Sequence, residues 1–276
     1  MTAAVRVAVF LVLAFVTQAV VFVALQWLGP LIASGLGIFA GGAVATVFAL
    51  RIYERGGLAD IGLTGHGWAA RHMLTGTGLG AAAALLAAGF PVLIGKAHFV
   101  PSPEFPFSPG GIVLVAVILL FAALGEELVF RGYPFQLLAG RFGTYQFLLP
   151  SAVLFAAAHS ANLSSNNLAL FNTFLWGVVL GYAVVRSGDL WVATGLHFGW
   201  NVTLPLFGVN LSGFTMGLTG YSLEWRASEL WSGGSYGPEA SLLTTVLIPA
   251  LFFALHRVPL RRQPLKLMPH EEESPE

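Results

Sequence analysis

From Gly111 to Leu124 the chain runs without a single polar side chain, and the run ends in Gly125-Glu126-Glu127. Comparable apolar stretches recur at roughly 5–28, 31–52, 72–95, 111–131, 147–162, 167–186, 190–208 and 241–256. A spanning helix needs about 20 apolar residues, because each residue advances only ~1.5 Å along the axis. The pattern predicts an all-α, polytopic membrane protein with eight transmembrane helices, the fifth and eighth of them short. Hydrophobic residues at 56% against 9% charged lie outside the composition of soluble domains, which excludes a water-facing globule. Val5 to Leu28 follows a lone Arg6 and is too long for a signal-peptide core, so it reads as the first spanning helix.

Residues 1–256 read as one membrane-embedded domain with a motif-bearing core at about 111–240. Residues 257–276 read as a polar cytoplasmic tail, basic and then acidic, too polar to pack and expected to be disordered. Pro101 to Pro109 carries four prolines and rules out a helix there. Residues 209–240 form the longest loop, Gly-rich with Trp225 and Trp231, placed at the outer interface where Trp is favoured.

Charge placement sets the orientation. With the N-terminus inside, the inner loops and helix ends hold Arg6, Arg51, Arg55, Arg71, Arg131, Arg141, Arg186, Arg257, Arg261, Arg262 and Lys266; the outer loops hold Lys96 and Arg226. That asymmetry predicts cytoplasmic N- and C-termini in a plasma (inner) membrane. No basic cluster precedes the tail, so nucleic acid is excluded as a partner and the lipid bilayer is the expected one. Cysteine is absent, which removes disulfides and thiolate nucleophiles.

Ionised groups inside an apolar segment are costly and mark functional sites. Glu127 and Arg131 are four apart on one helix face and can pair, whereas Glu126 is rotated about 100° away. This division leaves Glu127 as the structural partner of Arg131 and Glu126 as the carboxylate able to serve as general base. Two further apolar segments each carry an imidazole, Phe155-Ala-Ala-Ala-His159 and His197-Phe-Gly-Trp-Asn201. His197 and Asn201 share a face, and an Asn amide there can donate to a developing oxyanion or orient the ring. The set is suited to hydrolysing an amide bond. It also suits the proton relay of an ion-coupled transporter, although no inverted repeat is visible, or a non-catalytic immunity or scaffold protein.

In that order on successive segments, Glu126-Glu127-x-x-x-Arg131, Phe155-x-x-x-His159 and His197-x-x-x-Asn201 resemble the three motifs of the CPBP intramembrane proteases. That family joins type II CAAX prenyl endopeptidases to bacterial bacteriocin-processing and abortive-infection (Abi) proteins. Gly188-Asp-Leu-Trp191 and Gly233-Gly-Ser-Tyr-Gly-Pro-Glu239 look like a subset of bacterial members. The resemblance implies an eight-helix core and endoproteolysis close to the bilayer of a membrane-anchored or membrane-proximal peptide substrate, with a water activated by Glu126. It also implies that His159 and His197 either hold a metal ion, Zn2+, together with Glu126, or stabilise the oxyanion directly; both mechanisms stay open. Glu127, Arg131 and Asn201 complete the implied catalytic set.

Other polar residues read more plainly. His66, His72, His98, His256 and His270 fall in loops or helix ends and are expected to be solvated or interfacial. Asn162, Asn166 and Asn167 read as helix caps. Glu239 could touch the site from the outer loop but reads more simply as a surface carboxylate. A straight fifth helix from residue 147 would leave His159 far from Glu126, so residues 132–147, with Gly132, Pro134, Gly140 and Gly143, are expected to form a short interfacial helix and a bend.

Overall fold

The computed structural model describes residues 1–63, 65 and 67–268, so the expectations for His66, His270 and the acidic end of the tail lie outside the described residues. The chain is mostly helical: α1 (Ala3–Leu25), α2 (Pro30–Tyr53), α3 (Ala69–Leu93), α4 (Pro109–Phe130), α5 (Tyr133–Phe142), α6 (Thr144–Ala158), α7 (Asn167–Ser187), α8 (Trp191–Thr203), α9 (Glu229–Ser232) and α10 (Leu242–Arg257). An unexpected antiparallel ribbon pairs β1 (Ala97–Pro101) with β2 (Tyr221–Trp225), in register from Ala97 opposite Trp225 to Pro101 opposite Tyr221. It ties the α3–α4 connection to the long loop, and the prolines that follow β1 keep that connection non-helical until Pro109.

Among the described residues, five helical segments are long and apolar enough to cross a membrane: Ala3–Leu28, Pro30–Tyr53, Ala69–Leu93, Pro109–Phe142 and Asn167–Ser187. Of the other expected spans, 241–256 is the 16-residue helix α10, and 147–162 and 190–208 are cut short by backbone breaks. Gly143, at φ +96°, separates α5 from α6 in a conformation closed to most L-residues. His159 begins a short 3-10 turn, and α8 gives way to another at Leu204–Phe207, where Pro205 has no N–H to donate. The short helix expected between residues 132 and 147 is α5.

The faces of α1 explain its position. Phe10 and Ala14 are buried, whereas Val12, Phe15, Val20 and Val23 are each more than half exposed. A strip of that size would be a liability in water and is at home against lipid.

The closest helix contact is between α3 and α8. Gly76 and Gly80 lie against the backbone of Val192 to Trp200, and Gly195 and Gly199 lie against the backbone of Met73 and Thr77. These are two small-x-x-x-small stripes, which bring helices together through dispersion and close backbone approach. At 100° per residue, His197 is turned about 200° from Gly195, so the seam with α3 aims His197 and Asn201 at the opposite side.

Residue His72 continues the α3 stripe one turn earlier and is buried, 2.5 Å from Asp189 Oδ2 through its Nδ1. The expectation of a solvated His72 is therefore corrected: the tight α3 seam buries whatever shares its face. His98 is half-buried beside Glu224, and His256 is exposed beside Tyr182. The polar tail expected from residue 257 is packed as far as Met268. Leu265 and Met268 are buried, Gln263 N–H donates to Ser187 O, and Lys266 pairs with Asp60.

Candidate active site

The end of α4 carries Glu126 and Glu127 on different faces, and the helix stops at Arg131. Glu127 and Arg131 are closed off from solvent, with side chains 0% and 1% exposed. Arg131 donates to Glu127 Oε1 at 3.4 Å and to the carbonyl of Gly177 on α7 at 3.3 Å, and its guanidinium lies 4.1 Å from the centre of the Phe155 ring. Glu127 Oε1 also accepts from His197 Nδ1 at 2.9 Å. One carboxylate thus joins a cation on its own helix to an imidazole on α8.

Glu126 differs. Its side chain is 23% exposed, and its Oε2 lies 3.6 Å from His159 Nε2 and 3.9 Å from His197 Nε2. That oxygen has no hydrogen-bond partner among the described residues. The partners on the far side of each ring define what faces Glu126. His159 Nδ1 is 2.8 Å from the carbonyl of Phe155, which can only accept, so Nδ1 carries the proton. His197 Nδ1 faces the Glu127 carboxylate, which likewise requires Nδ1–H. In their neutral form the two imidazoles therefore turn unprotonated Nε2 lone pairs toward a carboxylate oxygen. Three acceptors converging on one point call for a donor between them: a water, a proton or a cation.

The donor set fits a zinc ion in type, since two imidazole nitrogens and one carboxylate make the usual three-ligand catalytic pattern and both rings have fixed outer partners. Among the described residues, no three His, Asp or Glu side chains are drawn together as closely as a metal-ligand set.

The cluster sits where two spaces meet. A cavity of about 60 Å3, with room for water, is lined by Glu126, His159, His197, Asn201, Trp200 and Glu239 among others. An apolar groove of about 700 Å3 between α1, α2, α4 and residues 211–216 reaches Glu126, His159, Asn201 and Ser212 from the side. All six residues singled out in the sequence are thus gathered within two neighbouring layers, with Glu127 and Arg131 behind and Glu126, His159, His197 and Asn201 at the cavity.

Glu239 corrects its expected surface position. It stands in the short turn before α10 and accepts from Trp200 Nε1, Ser212 N and Ser212 Oγ. Burial pushes its carboxyl above the usual carboxylate range, and burial together with Glu239 pushes the neighbouring Tyr236 phenol up to about 12. Of the three asparagines expected as caps, Asn166 caps α7 through Ala169 N, while Asn162 Nδ2 reaches the Tyr236 hydroxyl at 3.4 Å.

With this geometry in hand, the comparisons with known proteins become specific. Residues 108–203 match the family described as Type II CAAX prenyl endopeptidase Rce1-like. The match spans α4 to α8 and contains all three motifs, and it is consistent with the CPBP resemblance. The chain is also similar to a protein of Escherichia coli named "Uncharacterized 24.3 kDa protein", with 33% identity over 125 residues. That alignment takes in 42% of this chain and 57% of the relative, so the chain spans little more than half the length of the relative.

Proposed function

We propose that the protein is an intramembrane endopeptidase, hydrolysing a peptide bond of a membrane-anchored or membrane-proximal substrate with a water activated by Glu126. The observation that carries this reading is the meeting of Glu126 Oε2 with the Nε2 atoms of His159 and His197 at the junction of a small cavity and a lateral apolar groove. A water there donates one hydrogen to Glu126 and the other to an imidazole nitrogen, which leaves its oxygen lone pair free to attack a carbonyl carbon. Glu126 takes the proton as the C–O bond forms and returns it to the leaving nitrogen as the C–N bond breaks. His197 in its Nδ1–H form has no Nε2 proton to give, so Asn201, on the same cavity wall, is assigned as the donor to the developing oxyanion.

Glu126, His159 and His197 are also the residues that would hold a zinc ion, which when bound polarises a carbonyl and acidifies a water. The apolar groove gives a substrate anchored in the bilayer a route to the cluster without passing through water. The Rce1-like match supports the same reaction class.

Two experiments test the reading. Purified protein in liposomes is incubated with a degenerate peptide library and new N-termini are read by mass spectrometry; absence of any cleavage above protein-free liposomes counts against an endopeptidase. The eight-span topology with cytoplasmic termini is retained as a proposal in which the short helices α6, α8 and α10 complete the bundle, α8 buried within it and α6 and α10 each with one apolar face outward, since irregular backbone at depth is tolerated when buried in protein. Gly57→Cys and Gly234→Cys should then label from opposite sides of the membrane, and labelling from one side would remove that topology.

A further inference from the structure

The side-chain network around Glu239 plays no part in moving protons at Glu126, yet it joins three elements. Glu239 Oε1 accepts Trp200 Nε1–H of α8 at 3.3 Å, and Oε2 accepts the backbone N–H of Ser212 at 2.5 Å and its hydroxyl at 3.1 Å. The Glu239 carbonyl accepts Asn172 Nδ2 of α7 at 2.8 Å. Ser212 itself stands at φ +50°, a region that a non-glycine residue occupies only when its surroundings hold it there. The adjoining residues are tied to the same turn: Gly213 N–H donates to Tyr236 O, and Asn210 Nδ2 to Ser235 O at 2.9 Å.

Four residues line both the catalytic cavity and the lateral groove: Glu126, His159, Asn201 and Ser212. The first three belong to α4, the 3-10 turn after α6, and α8. Only Ser212 lies on a connecting segment, so it is the part of the threshold that can move without dismantling a helix.

We propose that Glu239 is a positioning residue that latches segment 208–216 across the passage between the apolar groove and the cavity, so that release of Ser212 opens one to the other; its consequence for turnover rests on the endopeptidase reading. The latch depends on a carboxyl group. Each oxygen faces a group that can only donate, the backbone N–H of Ser212 for Oε2 and the Trp200 indole N–H for Oε1. An isosteric amide at this position must point its NH2 at one of them whichever way it is turned.

The test uses the absence of native cysteine. Thr173→Cys places a thiol in the cavity wall, and Ala49→Cys places one at a fully buried position on α2. The full-length protein in liposomes is treated with 2-aminoethyl methanethiosulfonate, with and without Glu239→Gln. Loss of one of these hydrogen bonds predicts a roughly tenfold rise in labelling at Thr173→Cys, with Ala49→Cys unchanged. Ser212→Ala, which keeps the backbone N–H, should give a smaller rise. An unchanged rate at Thr173→Cys overturns the latch, and so does an equal rise at both positions, which would make Glu239 a brace for the whole fold.

For the peptide cleaved best from the library, Glu239→Gln should change KM, whereas mere loss of folded protein lowers apparent kcat at constant KM; the latter result also overturns the proposal. If instead no peptide of the library is cleaved above protein-free liposomes, the endopeptidase reading falls while the labelling result still decides the latch.

Discussion

Glu126 and Glu127 are adjacent in sequence, yet they occupy two layers of opposite character. The layer behind the cavity is knitted together: Glu127 meets Arg131 and His197 through Oε1, Arg131 meets Gly177 O, and the Phe155 ring covers the guanidinium, while Glu127 Oε2 and Arg131 Nε stay without a hydrogen bond among the described residues. The layer at the cavity is open, with a carboxylate oxygen and two imidazole lone pairs gathered around one point. A single helical step of about 100° separates them. A buried ion pair is strongly destabilised when one partner is removed, whereas removing Glu126, whose Oε2 is buried without a hydrogen-bond partner, breaks no such pair. One glutamate should therefore govern chemistry and the other the fold, and each substitution below can break that division.

The largest effect is expected at Glu126. Glu126→Ala should slow cleavage of the library peptide by roughly 10²–10⁴-fold, the usual contribution of a general base, while the thermal midpoint in detergent stays near wild type. Wild-type turnover in this variant would end the assignment. Glu127→Ala is next. It strands Arg131, only 1% exposed, beside an imidazole, and should cost about 3–5 kcal/mol of stability along with activity. A loss within the range of an exposed ion pair, roughly 0–1 kcal/mol, would mean that the rear layer is not the structural one. Third in size, Gly199→Ala puts a methyl group against the Thr77 backbone in the α3–α8 seam. Overpacking of that kind costs about 1–3 kcal/mol. It should depress activity as well, because the same seam aims His197 at Glu126; unfolding measurements and cleavage rates on one preparation check both.

The two layers were unevenly legible in the sequence. Glu126, Glu127, Arg131, His159, His197 and Asn201 stand out because charge and imidazole are rare in apolar segments, and helical spacing alone separates Glu127 from Glu126. His72 was misread, though the signal existed: it stands four residues before Gly76 and eight before Gly80, on the face those glycines press against α8. Asp189, its partner, is distant in sequence, and no local pattern pairs them. Glu239 was missed for a different reason. It lies in a long Gly-rich loop whose path is set by ribbon pairing with β1 and by turns at positive φ, so nothing local reports that the loop folds back over the cavity. Hydropathy windows ignore chain breaks, so three of the eight expected spans correspond to helices shorter than a bilayer needs: α6 ends where His159 begins a 3-10 turn, α8 ends before Pro205, and α10 has 16 residues.

The smallest expected effect is also the one that tests whether the layers are independent. Phe155 stands between them, its ring 4.1 Å from the Arg131 guanidinium, 4.5 Å from the His159 ring and edge-on to His197 at 6.3 Å. Phe155→Leu keeps an apolar side chain but removes the aromatic face, so the cation loses an attraction of about 0.5–2 kcal/mol and the rear layer should weaken by that order. The hydrogen bond from His159 to the Phe155 carbonyl involves only backbone at 155 and survives the change, so the His159 tautomer and its lone pair toward Glu126 are preserved. If the layers act separately, stability falls by this small amount and kcat holds to within a fewfold. A large fall in kcat with stability intact would instead mean that Phe155 couples them, the ring fixing His159 and His197 in the orientation that Glu126 requires. Adding Glu127→Ala to Phe155→Leu distinguishes the cases further: independent layers predict strong non-additivity in stability, because both changes act on Arg131, and none in the chemical step.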